Sequence, residues 1–381
     1  METPVRLGYV GDGANYHVRK WLPALVDAGI QVVLFTFDMP DEPLPGVKVI
    51  ELKRRRRGKV RYLDYFQPAA QLSHRIEEER CNLVMGSYAT HYGWLAARTG
   101  FKPLVMQTWT GDLTVYPFKG VRRIFFGPIV RYGLRRADLI TTDGKALLKQ
   151  GQQLYPEYAH RMIATRWGIS TSRSSGLTRD KAAFAQSAGL DSLEGYTVVV
   201  APRGLQHWYQ PELVIETLLT AVERDTQIFA VMLTMGHQRD PNMDALLRTL
   251  DHHPRALVVD RFLDTEEMDA LWSAADLVLS IPYSDGISES VLEAIHAGAL
   301  PILSDIPSNR SLVEDGVQAS LVDTDIESVV AAIVAAAHLD HPQAAEMRRH
   351  NRDWIVRNAT VEATAAELAS VLRGIVRASE P

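Results

Sequence analysis

The sequence predicts an α/β protein of two Rossmann-like, doubly wound domains, and three observations carry that reading. Short apolar runs alternate with amphipathic stretches from end to end, and strands apolar on both faces belong to parallel sheets covered by helices. A length of 381 residues exceeds what one hydrophobic core usually supports. Between two alternating blocks lies Thr171 to Leu193, rich in Ser, Thr and Gly near its start.

Val5 to Val10 reads as the first strand, Tyr16 to Ala28 as a helix stopped by Gly29, and Gln31 to Phe37 as the second strand, a right-handed βαβ unit. Asn82 to Met85, Pro103 to Gln107 and Asp138 to Thr142 continue the pattern. In the second block, Tyr196 to Ala201, Gln227 to Thr234, Ala256 to Asp260, Asp276 to Ser280, Leu300 to Ser304 and Ala319 to Val322 are short strands between helical stretches. The expected layout is a first domain over 1–170, a linker over 171–193, a second domain over 194–358, and an Ala- and Leu-rich helix within 359–381 that could pack back on the first domain.

Composition narrows the class. Apolar residues at 46% and charged residues at 23% describe a folded protein. Cys81 is the single cysteine, which leaves no internal disulfide and no cysteine-based metal site, and a reducing compartment fits best. Met1 to Pro4 lacks the basic start and apolar core of a secretory signal, and no stretch reaches the roughly 20 apolar residues of a membrane span. A cytoplasmic location is expected.

Net charge is −5, unevenly spread. Residues 1–170 carry 25 Lys and Arg against 15 Asp and Glu, an excess of +10, and residues 171–381 carry 16 against 31, or −15. The excess concentrates in Lys53 to Arg61 and in Val121 to Arg136, where arginines interleave with Ile124, Phe125, Phe126, Ile129 and Val130. Such a helix suits peripheral attachment to an anionic membrane surface; it also reads as an ordinary amphipathic helix with its phenylalanines in the core. Nucleic acid is not expected as a partner, because the acidic half repels a long polyanion.

The chemistry is expected where strands end. Two doubly wound domains facing each other place the C-terminal ends of their strands on a shared cleft. The loops there are Gly11 to His17, Gly86 to His91 and Thr108 to Asp112 in the first block, and Pro202 to Gly204, Met235 to His237 and Ser284 to Ser288 in the second. The last is the most informative. Asp285 and Gly286 lead through Ile287 and Ser288 into a helix that carries Glu293 and stops at Gly298. A helix start offers unpaired N–H groups and partial positive charge to a diphosphate, and the flanking carboxylates can accept bonds from hydroxyls of a sugar and a ribose. Arg203, just past a strand, can grip phosphate oxygens in pairs. Each residue also has a plainer reading: Arg203 as a surface ion pair, Glu293 as a solvated helix position, Asp285 as a turn cap. Gly11-Asp12-Gly13 is not a dinucleotide fingerprint, since Tyr16 stands where a third glycine belongs.

These residues resemble the retaining glycosyltransferases of family 4, with the GT-B architecture of two Rossmann-like domains facing across a cleft. Asp285-x7-Glu293 stands in the place of the family's E-x7-E, Ala201-Pro202-Arg203-Gly204 is similar to the segment whose arginine contacts the donor diphosphate, and Trp109-Thr110-Gly111-Asp112 is similar to a W-G-S-D element. The resemblance implies retaining transfer of a sugar from a nucleoside-diphosphate sugar to a sugar, lipid-linked or small-molecule acceptor. It implies Asp285, Asp112 and His91 in the catalytic centre, and Gly11, Gly13, Arg203, Gly286, Ile287, Ser288 and Glu293 around the donor. His17 and Trp109 fall on the acceptor side, with no cofactor and no metal expected.

Three departures stand out. Asp285 is one methylene shorter than the family's glutamate. No lysine occurs in Gln206 to Gln210, where a second diphosphate contact belongs. Met85-Gly86-Ser87-Tyr88 replaces a histidine-bearing element, which leaves His91 or Asp112 for the sugar contact. Two other classes stay open: a GT-B protein that binds without transfer, and a nicotinamide-dependent oxidoreductase.

Overall fold

Apolar strands that alternate with amphipathic helices bury both faces only in a parallel sheet wrapped on two sides, and the computed structural model of the chain contains two of them. It describes residues 4–54, 69–115, 117–118, 120, 122–171, 179–236 and 240–379. The chain divides into one unit of residues 1–168 with 361–381 and a second of residues 169–360.

In the first unit, β1 (Arg6–Val10), α1 (Tyr16–Asp27), β2 (Gln31–Thr36), β3 (Val47–Glu51), α2 (Ala70–Glu78), β4 (Leu83–Ser87), α3 (Tyr92–Thr99), β5 (Leu104–Thr108), α4 (Arg122–Arg136), β6 (Leu139–Asp143), α5 (Gly144–Leu154) and β7 (Met162–Thr165) follow in order. The seven strands run parallel in the order β3-β2-β1-β4-β5-β6-β7. The order reverses beside β1, so the loops after β1 and β4 flank the switch point where such sheets open for ligands. Strand alternation sends Leu7, Tyr9, Val32 and Leu34 to one core and Val10, Val33 and Phe35 to the other. β3 and β7, absent from the sequence reading, are short edge strands.

The second unit holds α6 (Lys181–Ala188), β8 (Thr197–Ala201), α7 (Pro211–Arg224), β9 (Ile228–Leu233), α8 (Pro241–Asp251), β10 (Ala256–Val259), α9 (Thr265–Ala274), β11 (Leu277–Ser280), α10 (Glu289–Ala297), β12 (Leu300–Ser304), α11 (Pro307–Glu314), β13 (Ser320–Val322), α12 (Ile326–Ala337) and α13 (His341–Asn358). Its sheet order, β10-β9-β8-β11-β12-β13, reverses beside β8. Asp264 and Glu267 close a capping box on α9, and Gly298, at φ 106°, takes the left-handed turn that ends α10.

Part of the expected linker over 171–193 belongs to the second unit instead. Arg179 and Lys181 both pair with Asp276, which also accepts the Val198 N–H at 3.0 Å, and Asp180 exchanges backbone and hydroxyl bonds with Ser273. That anchoring lets α6 lay Phe184 and Ala185 into the core. Chain termini need not stay with their neighbours in sequence: α14 (Val361–Ala378) lies in the first unit and buries Ala365, Leu368, Leu372 and Val376 with Trp21, Leu22 and Leu25 of α1. Arg373 donates to the Ala28 carbonyl at the end of α1, satisfying one of its open acceptors.

Candidate active site

In the second unit the site grows from two adjacent strand ends. β8 pairs β11 with Val199 opposite Leu277 and Val200 opposite Val278, so Arg203, two residues past β8, meets the loop that follows β11. Its Nη2 donates to Asp285 Oδ2 at 2.6 Å and to the Tyr209 hydroxyl at 2.6 Å, and its Nη1 donates to Ser288 Oγ at 2.5 Å and Ser290 Oγ at 3.3 Å. The guanidinium also lies 4.2 Å from the Tyr209 ring centroid, close enough for a cation–π contact.

Asp285 takes a second bond from the Gly286 N–H at 2.9 Å. Burial holds its carboxyl above the usual carboxylate range, against the pull of Arg203 and the Gly286 amide. Ser288 caps α10 through the Val291 N–H at 3.4 Å, so one hydroxyl serves both the helix start and the arginine. Ser304 Oγ donates to the Pro282 carbonyl at 2.7 Å, and Gln210 Nε2 donates to the Ile281 carbonyl at 2.6 Å, fixing the base of the loop. Ile287 packs against the core. Glu293 is half-buried on α10, one turn beyond the cap.

The structure thus brings Arg203, Asp285, Gly286 and Ser288 together and adds Tyr209 and Ser290. Tyr209 comes from the segment where the sequence lacks a lysine. An aromatic residue six positions after the arginine is its only sequence signal. His237, in the second loop of this half, lies outside the described residues.

In the first unit Asp112 sits in a π-helical turn, Gly111–Val115, and is completely buried. Its carboxylate accepts the Ala89 N–H and the Trp109 N–H, the latter at 2.6 Å, so it ties the loop after β4 to the loop after β5. Burial pushes it up to about 7, opposed by those amide bonds. With no exposed surface, Asp112 positions these two loops through its amide bonds.

His91 follows Asp112's partner loop, with Nδ1 2.8 Å from Thr90 Oγ1. Burial lowers it to about 4, so the imidazole is neutral near pH 7. Trp109 stacks on Tyr88 at 5.0 Å and 10° and on Trp167 at 4.6 Å and 23°, with His17 5.5 Å from Trp109 and from Trp167. The predicted acceptor residues His17 and Trp109 therefore share one cluster, completed by two aromatics that sequence reading missed. Tyr88 stands at φ 60°, a left-handed conformation costly for a bulky side chain.

Gly11 and Gly13 have packing reasons to be glycine. An added Cβ would fall 2.4 Å from the Tyr9 ring at Gly11 and 2.6 Å from the Asp38 carbonyl at Gly13. Their amides are engaged, Gly11 N–H with Phe35 O at 3.2 Å and Gly13 N–H with Thr36 Oγ1 at 3.0 Å. A donor contact through either amide has to displace those bonds.

The two Rossmann-like parallel-sheet units, the second with an arginine at a capped helix start, have the fold of GT-B glycosyltransferase structures. Comparison with known proteins agrees: residues 6–144 match the family described as Glycosyl transferase 4-like, and residues 198–338 match Glycosyl transferases group 1. No curated protein matches the chain. Among solved structures it is similar to sucrose-phosphate synthase from Thermosynechococcus elongatus, at 17% identity and TM-score 0.74 over 98% of this chain and 100% of that one. A glycosyltransferase from Rickettsia africae ESF-5 aligns at 13% identity and TM-score 0.77 over 99% and 100%. Anabaena Alr3699/HepE in complex with UDP and glucose aligns at 14% and 0.72 over 97% and 99%. At these identities the likeness is one of fold.

Proposed function

We propose that the protein transfers a sugar from a nucleoside-diphosphate sugar to an acceptor hydroxyl, with retention at the anomeric carbon. The observation that carries this is Arg203 held at the start of α10 by Asp285, Ser288 and Tyr209. In the reaction the bond from the anomeric carbon to the diphosphate breaks, a bond to the acceptor oxygen forms on the same face, and the acceptor proton passes to the departing phosphate. Arg203 and the helix start stabilise the charge gathering on that phosphate.

Donor binding exchanges partners. The diphosphate takes the guanidinium, and Asp285, released from Arg203, turns to the sugar hydroxyls while Glu293 holds the ribose. His91, kept neutral by burial, is the first-unit residue we assign to the sugar, and the cluster of His17 and Trp109 is assigned to the acceptor. The positive excess of residues 1–170 favours a phosphorylated or lipid-linked acceptor. Alr3699/HepE holds UDP on the same fold, so UDP is the first nucleotide to test.

Calorimetric titration of the full chain with UDP, GDP and ADP, and with NAD as the competing class, tests the donor. One nucleoside diphosphate binds and Arg203→Ala weakens it at least tenfold, while binding of NAD alone overturns the reading. Release of nucleoside diphosphate from its sugar conjugate in the presence of acceptors then separates a transferase from a protein that only binds.

A further inference from the structure

The solvent face of α4 is not the ordinary surface of an amphipathic helix. The helix turns Ile129, Val130 and Leu134 into the core, yet Ile124 and Phe125 are 65% and 66% exposed, and Phe118 just before the helix is 42% exposed. Single exposed apolar residues are common; a contiguous group of large ones marks an interaction site. Phe118 and Ile124 line a depression of about 540 Å³ with Pro117, Pro128, Arg123 and Arg131.

Arginines frame these side chains. Arg123 is exposed and has no ion pair among the described residues. Arg131 pairs with Glu157 at 2.9 Å and lies over the Tyr155 ring, and Arg135 and Arg136 lie 5.8 and 5.2 Å from the Tyr132 ring centroid. An apolar tip flanked by cations is how a helix seats in the headgroup layer of a bilayer. No described helix is long and apolar enough to cross one.

We infer that this face of α4, centred on Ile124 and Phe125, docks on an anionic lipid surface. Charge complementarity selects that occupant: residues 122–136 carry five arginines and no acidic residue, and a second copy would bring the same cations against it. The expected basic run Lys53 to Arg61 lies outside the described residues from Arg55 onward and has no part in the inference. Nor does the inference depend on the donor site.

Vesicle flotation of the full chain tests it, with phosphatidylcholine alone and with phosphatidylglycerol added, at low and physiological salt. The protein floats with the anionic vesicles, stays down with the neutral ones, and is released by salt. The double variant Ile124→Ser with Phe125→Ser binds at least tenfold more weakly with an unchanged circular dichroism spectrum. Arg123→Gln weakens binding roughly fivefold, the share of one cation near such a surface. Phe262→Ser, removing a 73% exposed apolar side chain from the second unit, changes nothing. The inference is overturned by absence of flotation with anionic vesicles, by equal flotation of the double variant, or by a dimer in solution that the double variant abolishes. Because flotation reads lipid contact and not sugar transfer, its failure leaves the donor reading standing.

Discussion

Arg203 and Asp285, 82 positions apart in the chain, are joined Nη2 to Oδ2 at 2.6 Å. The arginine that would hold the diphosphate and the carboxylate that would hold the sugar thus occupy each other before any donor arrives. The pair keeps two partly buried charges compensated in the free protein, where an unpaired one is costly.

Removing the carboxylate should separate the two functions. In Asp285→Asn the guanidinium loses its competitor, so UDP alone binds as tightly as to the native protein or up to about tenfold more tightly, while sugar transfer falls by roughly a hundredfold or more. Calorimetry beside a transfer assay checks this. A loss of UDP affinity in step with activity would show that the exchange does not occur.

Tyr209 contributes a ring and a hydroxyl, and two substitutions resolve them. Tyr209→Phe removes the bond to Arg203 and weakens nucleotide binding by roughly tenfold, leaving turnover at saturating donor unchanged. Tyr209→Ala also removes the cation–π contact, worth about 0.5–2 kcal/mol, and weakens binding further. Equal values for the two variants would leave the ring without a role.

Asp112 makes the first unit sensitive to pH. Its carboxyl, raised to about 7 from an ordinary 3.8, stays protonated in the fold where the unfolded chain has released the proton. That stability is full below the unfolded value and drains as pH rises through about 7. Thermal unfolding followed from pH 5 to 8 should show the loss in the native protein and a flatter profile in Asp112→Asn. Identical slopes would remove Asp112 as its source.

Leu372→Ala deletes a fully buried side chain of α14. It should destabilise the first unit by about 2–5 kcal/mol while nucleotide affinity of the second unit holds. Urea unfolding monitored separately in each unit reads both, and a change confined to the second unit would contradict the assignment of α14.

Much of the fold was legible in the sequence because its causes are local. The strands β1, β2, β8, β9, β11 and β12 announce themselves as short apolar runs, and α10 by Ser288 at its start and Gly298 at its end. The edge strands β3 and β7 were not legible, since five and four residues that are mostly half-buried or exposed leave little pattern. The anchored segment around Arg179 and Lys181 was hidden too, its reason being the distant Asp276.

The same division holds for the site. By itself the sequence determined two parallel α/β blocks and a helix start preceded by Asp285 and Ser288, because periodicity and caps depend on residues a few positions apart. The tertiary structure alone decided that Arg203, Tyr209 and Asp285 meet, that Asp112 is buried between two amides, that Trp167 joins Trp109, and that α14 completes the first unit. These depend on which strands lie side by side: β8 beside β11 brings residue 203 to residue 285, a juxtaposition set by packing of the whole sheet and written in no local pattern.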